Sequence, residues 1–503
     1  MDRMREDGLP PNFNTMSNIR KETISGVKWG AIRRFTMQPV QFVYGAILAH
    51  LVSPHEIGIL GLTAIFFAVA AQLKDSGFGS ALIRKQNRTE VDCSTVFWFN
   101  VGMSLLLSLI LCLVAPWFAD FYGEPALVNL TRVSALMLLL NSTGSVHWSL
   151  YAARRDFKTP AVVGMVTSLI AMPCCIWAAY AGWSYWAVLM QGIISETLSL
   201  IIVWIISPWK PRLLFSVNVF REFFGYGSKL VGAGLVWTVY NESRSFVIGK
   251  FYSPAQLAFY SRANSLCYMA PHMVRGILGG VTLPVLSTLQ DDKSKLYAVY
   301  RKYIRLTALL TIWPMLVLAA NSELFIYCVY GENWLPAAKY ATIICFGAIM
   351  DPIAYVAVHM FQVMGRTDLS LKRELWLRSL AFTAMIVGAL HSVAGVCYAH
   401  VFASVFNAWI SSYYIAKCSG IAQREQVKDI RPYLLISVAA IIPCLLLQLL
   451  TCNPFLLLPL SLLSSFICFF FFLFSRKDEI ALQVFGMMKE SAIGRFLCKK
   501  LSR

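Results

Sequence analysis

Eight cations and about five acids lie inside stretches of this 503-residue sequence that are otherwise apolar. The cations are Arg33, Arg34, Lys74, Arg132, Arg244, Arg262, Arg275 and Arg305. The acids are Asp75, Glu196, Glu242, Asp351 and, at a helix edge, Glu323. An ionisable side chain in an apolar helix is expensive, so each is a functional suspect. The excess of cations favours an anionic cargo over a cationic one. A buried carboxylate can take up a proton or a sodium ion; Glu196 is the first candidate for such ion coupling, then Asp351, with Glu242 beside them. Structural alternatives stand next to these readings. Arg33 and Arg34 are neighbours, ~100° apart on a helix, so only one can face a cavity, and both can snorkel to headgroups. Lys74-Asp75 and Arg275 suit contacts at an inner gate. Glu242 and Arg244 can neutralise each other. Asp351-Pro352 suits a kink, where proline removes a helix bond and the carboxylate serves freed backbone groups.

Other chemistries lack their residues. No GxxxxGK[ST] pattern is present, so this chain is not expected to hydrolyse ATP. The 13 cysteines fall mostly inside apolar runs (Cys112, Cys174, Cys175, Cys345, Cys397, Cys468), with no CxxC pair and no His/Cys cluster. Neither a disulfide frame nor a metal site is indicated, and no cofactor is expected. The longest outer gap, about 321–336, holds only Glu323 and Glu332 as acids, too little for an enzyme acting on lipid-linked sugars.

The elements that must carry these residues follow from composition. The chain is 57% hydrophobic and 14% charged, with mean hydropathy +0.61, where a soluble domain is about 25% charged. This is an all-α polytopic membrane protein. A spanning helix needs ~20 mostly apolar residues. About fourteen candidates are found, at 29–51, 56–83, 95–116, 127–150, 160–181, 184–206, 225–250, 255–287, 304–328, 336–362, 373–391, 394–416, 432–450 and 455–475. The polar segment 1–28 lacks the pattern of a cleavable signal. The basic tail 476–503 is partly amphipathic and either lies on the inner membrane lipids or is disordered. Alternating the loops across the membrane puts 34 of the 44 Lys and Arg residues inside, 2 outside and 8 within helices. That bias places both termini in the cytoplasm and accounts for the net charge of +18 without nucleic acid.

The spacing of certain motifs suggests a duplication. Ser53-Pro54 and Ser253-Pro254 each break two apolar runs on the outer side, 200 residues apart. "FYGEPA" and "VYGENW" follow helices 3 and 9 at an offset of 208, and Trp186 aligns with Tyr398 at 212. Helices 1–6 (29–206) and 7–12 (225–416) therefore read as two copies of one six-helix lobe, joined by a cytoplasmic linker, 207–224. Six is even, so the lobes are parallel repeats about an axis along the membrane normal. Two further helices, 432–475, lie outside the repeat. Such bundles can rock about a central cavity, as transporters do.

The stretches "LVSPHEIGILGL", "KDSGFGSALIRK", "VFWFNVGMSLLL", "PWFADFYGEPAL", "AARRDFK", "PWKPRLLFS", "FYSPAQLAFYSRANSL", "VTLPVLSTLQDD" and "VYGENWLPAAKY" cover roughly 26–375. In order and spacing they resemble the polysaccharide-transport (Wzx-type) branch of the MOP exporter superfamily, nearest its colanic and teichuronic acid exporters. The chain departs from that pattern at His50, where these exporters usually carry Arg. The resemblance implies a V-shaped, MATE-like pair of lobes. It also implies a flippase of the bacterial inner membrane that turns an undecaprenyl-pyrophosphate-linked oligosaccharide to the outer leaflet for O-antigen, capsule or exopolysaccharide synthesis, powered by an ion gradient and working beside the pathway's polymerase and glycosyltransferases. For a pyrophosphate cargo, Arg offers a rigid fork of donors. Arg33, Arg34, Arg275 and Lys74 would receive it in the inner half, and Arg244, Arg262 and Arg132 would hold it in the outer half. Gln38, Gln41, Tyr240 and Asn241 would contact sugar. An ion-coupled multidrug or metabolite antiporter of the same superfamily is the alternative.

Overall fold

The structure, a computed structural model, describes residues 16–449, 453–476, 478 and 480–483. Most of the 476–503 tail and the first part of the 1–28 segment lie outside them. Among the described residues the secondary structure is helical throughout. In chain order the helices are α1 (Met16–Leu51), α2 (Pro54–Leu62), α3 (Ala64–Asp75), α4 (Phe78–Arg84), α5 (Glu90–Tyr122), α6 (Ala126–Ala153), α7 (Lys158–Tyr180), α8 (Tyr185–Ile206) and α9 (Val217–Phe251). They continue as α10 (Pro254–Ser287), α11 (Lys293–Ala320), α12 (Ser322–Tyr330), α13 (Pro336–Val363), α14 (Thr367–Ala389), α15 (Val393–Ser419), α16 (Gln423–Gln448) and α17 (Pro454–Ser475).

Each apolar run singled out above is occupied by a helix or a chain of short ones. Among the described residues, 10 helical segments are long and apolar enough to cross a membrane by length and composition. The four remaining runs are α1, α9, α10 and α14. These carry Arg33, Arg34, Arg244, Arg262, Arg275, Arg373 and Arg378, and such side chains dilute their apolar character.

Two runs expected to be continuous are broken. The 56–83 run is three helices. The chain turns at Ser76 (φ 43°) and Gly77 (φ 67°), two successive left-handed residues that no α-helix accommodates. The 304–328 run ends α11 at Ala320 and restarts as α12 after Asn321, whose backbone leaves the helical region. Local signals set the ends. Ser53 and Thr89 open α2 and α5 with reciprocal capping boxes to Glu56 and Asp92. Gly123 and Gly420 close α5 and α15 in left-handed conformations.

The chain divides into two compact units, Met1–Ser261 and Arg262–Arg503. In the first, α5 packs on α6 and α7 on α8, while α9 lies along α3, α4, α5 and α2. Helix α9 therefore packs with the helices before the 207–224 linker, and the division falls inside α10. One core of this unit gathers Phe78, Leu82, Val96, Phe97, Val146, Trp209 and Phe223. Glycines permit the close approach of α9. A Cβ at Gly77 would lie 2.7 Å from the Cα of Gly227, and one at Gly249 would lie 2.5 Å from Leu62 Cδ2. Gly58 abuts the backbone of Pro254, so the two Ser-Pro corners touch. In the second unit α13 and α14 both pack on α15, and α11 is flanked by α13 and α16, with α17 against α16. Its core includes Leu286, Tyr300, Ile304, Met360, Phe361 and Ile415.

Candidate functional polar chains

Most in-helix charges are engaged with neighbours. In the first unit, Arg33 and Arg34 are exposed on α1, and the Arg33 guanidinium reaches toward Gly164 of α7. Gln41 is exposed beside them; Gln38 is half-buried, and its Oε1 has no hydrogen-bond partner among the described residues. Arg132 is exposed on α6. On α9, the Arg244 guanidinium sits 5.8 Å from the Tyr240 ring centroid and interacts with the charge of Glu242. Tyr240, Asn241 and Glu242 are half-buried. In the second unit, Arg262 lies 5.3 Å and 5.2 Å from the ring centroids of Tyr330 and Trp334. Arg275 lies 4.6 Å from that of Tyr355. A cation over an aromatic face is stabilised by the ring quadrupole, by about 0.5–2 kcal/mol.

Lys74 and Glu196, assigned to separate roles from sequence, belong to one hydrogen-bonded chain. Lys74 at the end of α3 is 3% exposed. Its Nζ donates to Asn141 Oδ1 on α6 and pairs with Asp75 at 3.1 Å. Asn141 Nδ2 in turn donates to Glu196 Oε1 on α8 at 2.7 Å. An ammonium only donates and a carboxylate only accepts, so the amide between them has one orientation.

The second unit holds a chain of different chemistry. The Tyr268 hydroxyl on α10 lies 2.6 Å from Asp351 Oδ2 on α13 and 2.5 Å from His400 Nε2 on α15. Tyr268 and His400 are 8% and 9% exposed. Arg373 of α14, itself 6% exposed, interacts electrostatically with Asp351. Its Nε donates to Asn407 Oδ1 at 3.1 Å. Asp351 was singled out from sequence; Tyr268, His400, Asn141 and Arg373 were not. One of them, Asn141, falls at a spacing of the repeat expected from the sequence. Asn141 and Asp351 are 210 residues apart, within the drift of 208 to 212. In the numbering expected from the sequence, the two chains draw on helices 2, 4 and 6 and on helices 8, 10 and 12.

Comparison with known proteins bears on what these chains serve. A family profile described as "Polysaccharide biosynthesis protein" matches residues 47–339, more than half of the chain. The teichuronic acid biosynthesis protein TuaB of Bacillus subtilis (strain 168) is 24% identical over 436 residues, covering 85% of this chain and 89% of that one. Among solved structures, the chain is similar to the lipid II flippase MurJ in an inward closed conformation. The TM-score is 0.67 at 16% identity, over 91% of this chain and 98% of that one. It is also similar to a multidrug resistance MATE family transporter of the MOP superfamily in an inward-facing conformation, with TM-score 0.60 at 14% identity, over 80% and 99% of the two chains. At these identities the structures speak for the fold alone, and the fold is the all-α, MATE-like one expected from the sequence.

Proposed function

The chain belongs to the polysaccharide biosynthesis protein family that its residues 47–339 match, and on that premise we propose that it is a flippase for a lipid-linked oligosaccharide. The cargo class is an undecaprenyl-pyrophosphate-linked repeat unit. The process is alternating access across a bacterial inner membrane, with both termini cytoplasmic, no covalent chemistry, and a surface polysaccharide as the end product. The observation that carries this reading is the family match, made by a chain that has, among the described residues, 10 helical segments long and apolar enough to span a membrane.

The residues support an anionic cargo. Arg33, Arg34, Arg132, Arg244, Arg262 and Arg275 are the cations proposed to meet the pyrophosphate. Arginine suits this work because it stays charged and offers donors in a fixed plane. A guanidinium resting on a ring, as Arg275 does on Tyr355, is held by its face, and its N–H groups point outward in the plane of the group. Lys74 is committed to Asn141 and Asp75, so we assign it to holding α3 against α6. Gln38, Gln41, Tyr240 and Asn241 remain the proposed sugar contacts. Partner enzymes would be the polymerase and glycosyltransferases that make and consume the repeat unit.

Two experiments test this. Deletion of the gene in a strain with a defined glycan should strand the lipid-linked repeat unit on the cytoplasmic leaflet. Normal surface glycan together with raised drug sensitivity would overturn the proposal in favour of the antiporter. Replacing Arg33, Arg244, Arg262 and Arg275 singly by Ala and by Lys should impair export at normal membrane levels. Full export by all of these variants would refute the cationic site.

A further inference from the structure

The Tyr268 hydroxyl lies between two groups that titrate. Its two short hydrogen bonds need two protons, and a phenol supplies only one. The second must sit on Asp351 or on His400 Nε2. In one arrangement Tyr268 donates to the Asp351 carboxylate, and His400 donates to the phenol oxygen through Nε2–H. In the other, protonated Asp351 donates to the phenol oxygen, and Tyr268 donates to a bare Nε2. Both arrangements satisfy the two hydrogen bonds of the phenol oxygen.

The two arrangements differ by one proton at the ends of the chain. A proton arriving at His400 Nδ1 allows Nε2 to release its own to Tyr268, and Tyr268 passes its own to Asp351. One N–H and one phenolic O–H bond break while a new N–H, a new phenolic O–H and a carboxylic O–H bond form. No other atom moves, and the imidazole is neutral before and after. We propose that Asp351, Tyr268 and His400 form a proton-binding relay in the second unit, with Asp351 as the store. This rests on the transporter reading above, which it deepens by naming the proton as the coupling ion.

The surroundings fit a site that exchanges charge. From α14, Arg373 interacts with Asp351 electrostatically and pairs with Glu374 at 3.5 Å. From α10, the His272 ring lies tilted beside Tyr268 with centroids 5.5 Å apart, and Arg275 covers Tyr355 one turn along from Asp351. On α13 itself, Tyr355 meets His359 at 4.7 Å. The cations of α11, Arg301 and Arg305, are turned to Asp429, and Tyr330 of α12 lies under Arg262. Filling the store neutralises Asp351 and removes one charge from the surroundings of Arg373.

A proton suits the chain better than sodium does. Hard cations gather several oxygen ligands. Here the carboxylate oxygen is taken by the phenol, and the third member offers nitrogen. The first unit makes the contrast. Its chain, Lys74–Asn141–Glu196, has a central amide that neither ionises nor passes a proton. It ties its three helices together by fixed charge, and it is the inert counterpart of the relay.

The test uses the full-length protein purified in sodium-free detergent. Infrared difference spectra between acidic and alkaline buffer should show the band of a protonated carboxyl. Asp351→Asn should abolish the band, and Tyr268→Phe and His400→Gln should shift its pH midpoint. Added sodium should leave the wild-type band in place. A band that survives Asp351→Asn, or its displacement by sodium at constant pH, would overturn the relay. Wild-type protein is itself informative, since the absence of any pH-dependent carboxyl band also overturns it. Glycan export in the deletion strain is scored separately. Export without the band defeats the relay alone, and the band without export defeats the transporter reading.

Discussion

Replacing Gly58 by alanine should open the Ser-Pro corner of the first unit. A Cβ at Gly58 would overlap the carbonyl of Pro254 and lie 2.9 Å from its Cα. Those are backbone atoms at the first residue of α10, so no rotamer change relieves the overlap. Carbon atoms want about 3.5–4.0 Å, so α2 and the start of α10 must part by about 1 Å or more. Overpacking of this kind costs about 1–3 kcal/mol, and the rigid neighbour argues for about 2 kcal/mol or more. Two other glycines calibrate the value. At Gly249 the added Cβ meets Leu62 Cδ2 at 2.5 Å, a methyl that can swing aside, so Gly249→Ala should cost under about 1 kcal/mol. At Gly102, within α5, nothing lies within 4 Å, and Gly102→Ala should stay within about 0.5 kcal/mol of the native chain. Thermal unfolding of the full chain in detergent, followed by tryptophan fluorescence, ranks the three. Equal stability of Gly58→Ala and Gly102→Ala would refute the corner contact.

Other perturbations follow from the same geometry. Asp429, with its side chain 3% exposed, holds Arg301 Nε at 2.6 Å and Arg305 Nη2 at 2.5 Å. Breaking a buried pair costs about 3–5 kcal/mol, but guanidiniums 33% and 40% exposed keep water, so Asp429→Ala should lower stability in a denaturation assay by about 2–3 kcal/mol. Lys74→Met and Glu196→Gln should each destabilise the first unit, and the double variant should lose less than the sum; strict additivity in a double-mutant cycle would show that Asn141 does not couple them. Single cysteines introduced at Lys293 and at Glu332 into a chain freed of reactive thiols should be labelled by an impermeant maleimide from opposite sides of the membrane. Labelling of both from one side would invert the assigned topology.

The helices were legible in the sequence because apolar runs of spanning length are punctuated by clusters of Lys and Arg. The same cations proposed to meet the cargo, Arg244 and Arg262, also blunt the apolar signal of α9 and α10. The break at Ser76-Gly77 was missed because hydropathy continues across it, from "AVAAQLKD" to "FGSALIR". The left-handed pair there is a matter of backbone angles. Lys74, Glu196 and Asp351 stood out singly, since each is costly in an apolar run. Their partners did not. Asn141 lies 67 residues from Lys74 and 55 from Glu196, and Tyr268 lies 132 from His400. Such pairings arise from helix packing, and no spacing along one helix encodes them. A tyrosine among aromatics, or a histidine in "VCYAHVF", reads as packing until its neighbours are known.

The comparison of the two chains carries one step more. Three helices at matching places in the inferred repeat must be tied in each copy, because apolar surfaces in lipid give little drive for helices to associate. Any polar chain that satisfies its own donors and acceptors will serve as the tie. Lys74–Asn141–Glu196 does so with two opposite charges and a directional amide, which fixes one arrangement of protons. Asp351–Tyr268–His400 does so with three groups that can each give or take a proton, which allows two arrangements of similar hydrogen bonding. Only the second can change its charge while staying tied. Exchanging Tyr268 for Asn should therefore convert the second chain toward the character of the first, with the helices held together and the proton passage through position 268 lost. Thermal stability near that of the native chain, together with a shifted pH midpoint of the carboxyl band, is the expected outcome. Loss of stability with the pH midpoint unchanged would show that the chain serves packing alone.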